Sequence, residues 1–209
     1  QKIDMVDLDP KMTDLGTQHP TLIEINKGSM HSKKLSVYNK DAYIHLEANL
    51  GAFYDVIIAD LPDPRNIELG RLYSHEFYTL CHRKLRPNGL IITQAGSPYF
   101  ATNAYNCIDK TIQSAGFNTV KMHNQVLSMG EWGWILGTKN KALSSKNLKI
   151  KLQKLEFEKI ETRWINTEAM QLLTSFGKEF HNTQDAVEVN KIHNPVLYQY
   201  YLKGNWDIY

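Results

Sequence analysis

The residues of this 209-residue chain best suited to chemistry sit in one run, Asp60-Leu61-Pro62-Asp63-Pro64. Two carboxylates on so short a loop can face a single pocket. They would attract an ammonium group, and one of them could take the proton that an amine must lose before it attacks as a nucleophile. Pro64 fixes a backbone angle and removes an amide donor, which stiffens the loop and holds the acids in place. The plainer alternative is a loop whose acids only cap the helix that follows, but Asp-Leu-Pro-Asp-Pro is an unusual composition for that task. Metal chemistry finds no support. The eight histidines form no His-Glu-x-x-His pattern, and Cys81 and Cys107 form no Cys-x-x-Cys pair. A Gly-x-Ser-x-Gly nucleophile elbow is absent too.

Such acids need a rigid element to deliver them. Tyr54–Ala59 is nearly all apolar and β-branched, the pattern of a strand covered on both faces. Strand and helix alternate around it. Residues 2–8 read as a strand, after which Asp9 caps a helix with Pro10 in its first turn. A strand follows at 34–39 and a short helix at 42–50. Residues 73–85 read as a helix with Ser74 as its cap and Tyr73, Phe77, Leu80, Cys81 and Leu85 on one face. Pro87-Asn88-Gly89 reads as a turn, Leu90–Thr93 as a strand and 99–115 as a helix stopped by Gly116. Residues 118–126 and 132–138 read as two strands joined by a glycine-containing loop. This alternation predicts an α/β domain with a mainly parallel sheet. No helix separates the last two strands, so they should form an antiparallel pair at the sheet edge. Beyond Lys139 come a charged helix, a strand-like stretch at 162–165 and a helix over 167–176. The expected division is an α/β domain at 1–140 and an α-rich appendage at 141–209.

In open α/β sheets, ligands bind beyond the carboxyl ends of the strands. That rule selects Asp7, Asp9, Asp41, Asp60, Asp63 and Gln94. Repeated acids at those positions suit a polar or cationic ligand. An acid placed like Asp7 can accept both hydroxyls of a ribose. Asp41 could accept from an exocyclic adenine amine, although capping of the next helix would explain it equally well. Trp132, Trp134 and Tyr99 are expected to pack the sheet edge rather than stack on a base.

Hydrophobic residues make up 42% of the chain, charged residues 22%, and the net charge is +2 with both signs interspersed. That is an ordinary globular composition, and it gives no reason to expect nucleic acid or an acidic membrane surface as a partner. The most basic stretch, Lys139–Lys154, reads as a solvated connector and helix face. The two cysteines fall inside helices and read as buried apolar residues, which fits a reducing compartment. No apolar run reaches the ~18 residues of a membrane span, and no signal peptide is visible. The chain opens directly on a strand, which reads as a fragment of a longer protein.

The stretches Val6-Asp-Leu-Asp-Pro10, Asn39-Lys-Asp41-Ala42, Tyr54–Pro64 and Leu90-Ile-Ile-Thr-Gln94-Ala-Gly-Ser-Pro98 resemble, in order and spacing, spermidine synthases and their aminopropyltransferase relatives over residues 3–138. The runs Leu69–Tyr78, Gly130–Gly133 and Val187–Pro195 resemble one branch, in which a multi-pass membrane segment precedes the synthase-like domain. The resemblance implies a Rossmann-like fold of the S-adenosylmethionine methyltransferase type, here without its first strand. It implies aminopropyl transfer from decarboxylated S-adenosylmethionine, a co-substrate rather than a resident cofactor, to a diamine such as putrescine, giving spermidine. Asp60 would then be the proton acceptor, Asp63 would bind the amine, and Gln94 would lie on the polyamine side. Asp7 would bind the ribose, and Asp41 with Ala42 would contact the adenine. A homodimer and a cytoplasmic domain of a membrane-anchored protein are further expectations.

Two departures qualify the match. The family's first strand and glycine-rich loop would precede Gln1, so the fragment alone is expected to bind the nucleoside poorly and to be inactive. The family usually carries a tyrosine in the loop before the last strand, where this chain reads Val126-Leu-Ser-Met-Gly130; the acceptor amine therefore stays open. The competing readings are a methyltransferase on the same fold, which would not need two acids around the acceptor, and a non-catalytic module that kept the fold.

Overall fold

A computed structural model describes residues 2–48, 51, 53–178, 180 and 186–206. The chain forms two compact units, 1–52 and 53–209.

In the first unit, β1 (Ile3–Asp7) and β2 (Leu35–Asn39) pair in parallel, with Asp7 opposite Asn39. Between them run α1 (Pro10–Gln18), α2 (Pro20–Ile25) and a 3₁₀ turn at Ser29–His31. Asp9 caps α1 by accepting from the Lys11 amide at 2.9 Å, and Pro10 sits in the first turn, where its missing N–H costs nothing. Helix α3 (Ala42–Ala48) follows β2; the last two residues of the helix expected over 42–50 lie outside the described residues.

In the second unit, β3 (Tyr54–Ala59), β4 (Leu85–Gly96), β5 (Asn118–Val126) and β6 (Gly130–Thr138) form a sheet in the order β3-β4-β6-β5. β3 and β4 are parallel, and β6 is antiparallel to both its neighbours, so β6 alone runs against the other three. The expected antiparallel pair is β5 with β6, closed by a tight loop that ends on Gly130 at φ 70°. Helices α4 (Ile67–Gly70), α5 (His75–Lys84) and α6 (Thr102–Ser114) follow the first two strands. Ser74 caps α5 through the Phe77 amide at 3.2 Å, and Gly116, at φ 95°, follows the end of α6. The core lies between α5, α6 and the sheet. Tyr73, Phe77, Tyr78, Cys81, Tyr105, Ile108, Ile91 and Ile135 are each at most 2% exposed. Farther along are α7 (Ser145–Gln153), α8 (Thr167–Leu173) and α9 (Leu197–Leu202). Leu148 of α7 packs on Val120 and Met122 of β5.

Three expectations are corrected. Tyr54–Ala59 is a strand, but it is not covered on both faces: Val56 is 53% exposed and Ile58 74%. β3 is an outer strand of its sheet, and its period-two alternation turns Ile57 and Ala59 inward and the other two outward. Pro87-Asn88-Gly89 is not a turn between elements. It bulges within β4, where the register jumps from Tyr54↔Leu85 to Val56↔Leu90. Residues 162–165 are not a strand, because the Thr162 hydroxyl donates to the Ile165 carbonyl at 2.6 Å and closes the segment into a bend.

Candidate active site

The acids of the first unit stand at the carboxyl ends of its two parallel strands. Asp7 ends β1, and its Oδ1 accepts from the Asp9 amide at 2.8 Å. Asp41 follows β2, and its Oδ1 accepts from the Tyr43 amide at 2.9 Å and the Ile44 amide at 3.1 Å. Ala42 begins α3, so these bonds satisfy orphan amides in the first turn. Capping is therefore part of what Asp41 does, alongside any contact to a ligand.

The second unit holds Asp60, Asp63 and Gln94, and it links two of them directly. Gln94 is 6% exposed near the end of β4. The two hydrogens of its Nε2 are shared among the Leu61 carbonyl at 2.7 Å, the Tyr73 hydroxyl at 2.7 Å and Asp63 Oδ1 at 3.2 Å. Its Oε1 accepts from the Gly96 amide at 3.0 Å and from the Trp132 indole at 3.1 Å. Leu61 O and Asp63 Oδ1 can only accept, while the Gly96 amide and the indole can only donate. The amide orientation is thus dictated by its neighbours. The single proton of the Tyr73 hydroxyl is in turn shared between the Leu61 and Pro62 carbonyls, both at 3.1 Å. Burial, followed by nearby acidic groups that include Asp63, raises the Tyr73 phenol well above its ordinary value, so it stays protonated and able to donate.

Asp63 is held on both sides. Its second oxygen, Oδ2, accepts from the Tyr201 hydroxyl at 2.8 Å. Burial first, then the Asp63 carboxylate, push the Tyr201 phenol up to about 12. Asp60 differs in every respect. It is exposed, and no hydrogen bond joins it to another described residue. It lines a cavity of about 320 Å³ together with Ile58, Ile92, Gln94, Met129 and Trp132. The cavity has largely apolar walls and an unengaged carboxylate at its margin. That geometry accommodates a methylene chain that carries a cationic end. Among the described residues, no group of three His, Cys, Asp or Glu side chains is placed to hold a metal ion.

Residues 1–150 match the spermine/spermidine synthase domain. The chain belongs to that family. It is similar to a polyamine aminopropyltransferase of Oceanobacillus iheyensis, 36% identical over 211 residues, an alignment that covers 100% of this chain and 39% of the relative. It is also similar to polyamine aminopropyltransferase 2 of Ralstonia nicotianae, 34% identical over 201 residues, covering 96% and 37% of the two chains. The chain therefore spans under two fifths of the length of these curated relatives. Among solved structures it resembles spermidine synthase from Thermotoga maritima, with a TM-score of 0.69, 16% identity, and 88% and 60% of the two chains covered. A spermidine synthase in complex with the transition state analogue AdoDATO gives a TM-score of 0.71 at 17% identity, covering 88% and 61%. These structural likenesses show the fold, the Rossmann-like methyltransferase type. Among the described residues of this spermine/spermidine synthase domain, no helix is long and apolar enough to cross a membrane.

Four residues around the acids have roles that residue type and spacing do not announce. Helical spacing gives Tyr73 only a packing role, yet its hydroxyl supports two carbonyls of the Asp60–Pro64 loop. Trp132 and Trp134 read as sheet-edge packing, yet both line the cavity and Trp132 fixes Gln94. Alternation along β6 was the signal available for them, since it puts both tryptophans on one face of the sheet. Nothing local in the sequence points to Tyr201.

Proposed function

We propose that the whole protein transfers an aminopropyl group from decarboxylated S-adenosylmethionine to a diamine such as putrescine, giving spermidine. The observation that carries this reading is the contrast at one loop: Asp63 is fixed by Gln94 and Tyr201, while Asp60 stands unengaged beside an apolar-walled cavity. A fixed carboxylate suits an ammonium anchor, and an unengaged one suits proton transfer.

In the proposed reaction the acceptor nitrogen forms a C–N bond to the propyl carbon as the C–S bond breaks, and the sulfonium leaves as a neutral thioether. The nitrogen must first be neutral. Alkylamines have pKa values near ~10, so at neutral pH the attacking group arrives protonated and its proton passes to Asp60 and on to solvent. The rest of the barrier is a matter of holding the nitrogen in line with the carbon, and Asp63 serves that by binding the amine. Gln94 lies on the polyamine side of the cavity and keeps Asp63 in place. Asp7 is assigned to the ribose, and Asp41 with Ala42 to the adenine. The 1–140 stretch is read as catalytic domain and 141–209 as its appendage. On the resemblance of 69–78, 130–133 and 187–195 to the membrane-preceded branch, this domain is proposed to face the cytoplasm from a membrane-anchored protein and to act as a homodimer. Fractionation and light scattering of the whole protein test those two points.

The deciding assay supplies the whole protein with putrescine and either decarboxylated or ordinary S-adenosylmethionine. Spermidine from the decarboxylated form alone is the expected product, and Asp60→Asn should lower kcat by about 10²–10⁴-fold, the usual reach of a general base. Methylated product would make the protein a methyltransferase, and no product with either donor would favour a non-catalytic module.

A further inference from the structure

Asp63 is the acid of this site whose two oxygens are both occupied by side chains, and one of those side chains comes from far along the sequence. We infer that Tyr201 is a positioning residue for the amine site, its hydroxyl holding the Asp63 carboxylate in the orientation that receives an ammonium group. The inference rests on the reading of Asp63 as the amine anchor.

Packing and hydrogen bonds hold Tyr201 in place. Tyr201 lies on α9, 8% exposed, and its ring packs against Trp206 with centroids 4.7 Å apart. The Trp206 indole donates back to the Tyr201 carbonyl at 2.8 Å. Gly204 makes this fold-back possible, since a Cβ there would lie 2.7 Å from the Trp206 ring nitrogen. Two further ties hold the segment to its unit. The Asn205 amide donates to the Phe100 carbonyl at 2.7 Å, and buried Asn190 donates to the Gly70 and Tyr73 carbonyls at 2.9 and 3.1 Å. Tyr73 carries the hydroxyl that supports Leu61 and Pro62. The segment thus reaches the acidic loop by two routes, one through Asn190 and one through Tyr201 itself.

Competition from Arg65 is weak. It lies 3.8 Å from Asp63 Oδ2 with its side chain 72% exposed, so solvent screens most of that attraction. The choice of a tyrosine also has a chemical logic. A neutral donor fixes the carboxylate without cancelling its charge, whereas a lysine or arginine in its place would neutralise the anchor it holds. A carboxylate offers about four lone-pair sites. Gln94 and Tyr201 take one on each oxygen, which leaves acceptor capacity for an ammonium.

The test compares wild type, Tyr201→Phe, Asp63→Asn and the double variant in the whole protein. It reads putrescine binding by calorimetry, KM and kcat for both substrates, and Tm. Phenylalanine keeps the ring packed on Trp206, so the comparison isolates the hydroxyl. Tyr201→Phe should weaken putrescine binding and raise its KM about tenfold, the scale of one hydrogen bond to a charged group. The KM for the nucleoside substrate should stay unchanged, and Tm should fall by only about 2–4 °C, the usual cost of one lost hydrogen bond in a chain of this size. Because Tyr201 acts through Asp63, the double variant should bind putrescine no worse than Asp63→Asn alone. Unchanged putrescine affinity in Tyr201→Phe overturns the inference. So do equal losses for both substrates with a larger fall in Tm, or a variant that does not fold, since each makes the hydroxyl structural only. If wild type binds putrescine but transfers nothing, and both single variants still weaken binding, the reaction assignment falls while the positioning role stands. If wild type does not bind putrescine at all, both fall.

Discussion

Asp41 accepts hydrogen bonds from amides two and three places along the chain, whereas Asp63 accepts from Gln94 and Tyr201, 31 and 138 places away. The first arrangement closes with one turn of helix and little loop entropy. The second exists only when β4 and α9 have both reached their places around the acidic loop. An acid held by its neighbours reports on a local turn. An acid held by distant side chains reports on the integrity of a whole unit, and its geometry can be fixed more finely because its partners are themselves buried.

The strongest way to break this contrast is to cut the support behind the distant hold. Asn190→Ala removes two bonds to the Gly70 and Tyr73 carbonyls and one from the Leu197 amide, all buried. The expected loss is about 3 kcal/mol, since each stranded partner costs on the order of 1 kcal/mol or more. Urea denaturation measures it, and a loss under about 1 kcal/mol would mean that the segment around α9 adds little to the second unit. The counterpart in the first unit is Asp41→Ala. It should cost about 1 kcal/mol, the usual value of a helix cap. Hydrogen exchange should quicken at the Tyr43 and Ile44 amides and little elsewhere. Faster exchange throughout the first unit would show that this local hold is not local.

The smallest effect is in the pH dependence, and it gives each unit its own probe. Burial lowers His45 in the first unit below the ordinary histidine value of 6.5. Burial, then Lys139 and Lys141, lower His82 in the second. In both cases the folded chain binds the proton less readily than the unfolded chain. The associated stability is present above 6.5 and is lost as pH falls through the lower folded value. His45→Phe and His82→Gln should each flatten the fall of stability as pH drops below 6.5. Thermal melts across that range measure it, and a slope untouched by either variant would place the acid sensitivity elsewhere.

What could be read from the sequence follows the same division. Asp9 with Pro10, Ser74, Gly116 and the bounds of Tyr54–Ala59 and Asn118–Val126 are set by residues within a few places of one another, and the structure has them where residue types and periodicity put them. The Asp60–Pro64 loop was legible for the same reason. Strand pairing is not encoded locally, so an apolar run reads as doubly covered although β3 is an outer strand of its sheet. Turn-forming residues at 87–89 were spent on a bulge, which needs the same backbone freedom as a turn. Its place at a strand end marks Gln94, but its role as a junction between Asp63, Tyr73 and Trp132 depends on three contacts that no local pattern announces.

The 138-residue span between Asp63 and Tyr201 also sets a clock. Ribosomes add about 5–20 residues per second, so the acidic loop exists for on the order of ten seconds before its hydroxyl partner has been synthesised. During that interval the nascent chain carries both carboxylates with the second oxygen of Asp63 unclaimed. Strand, loop and core can form early, and the hold on Asp63 is completed last.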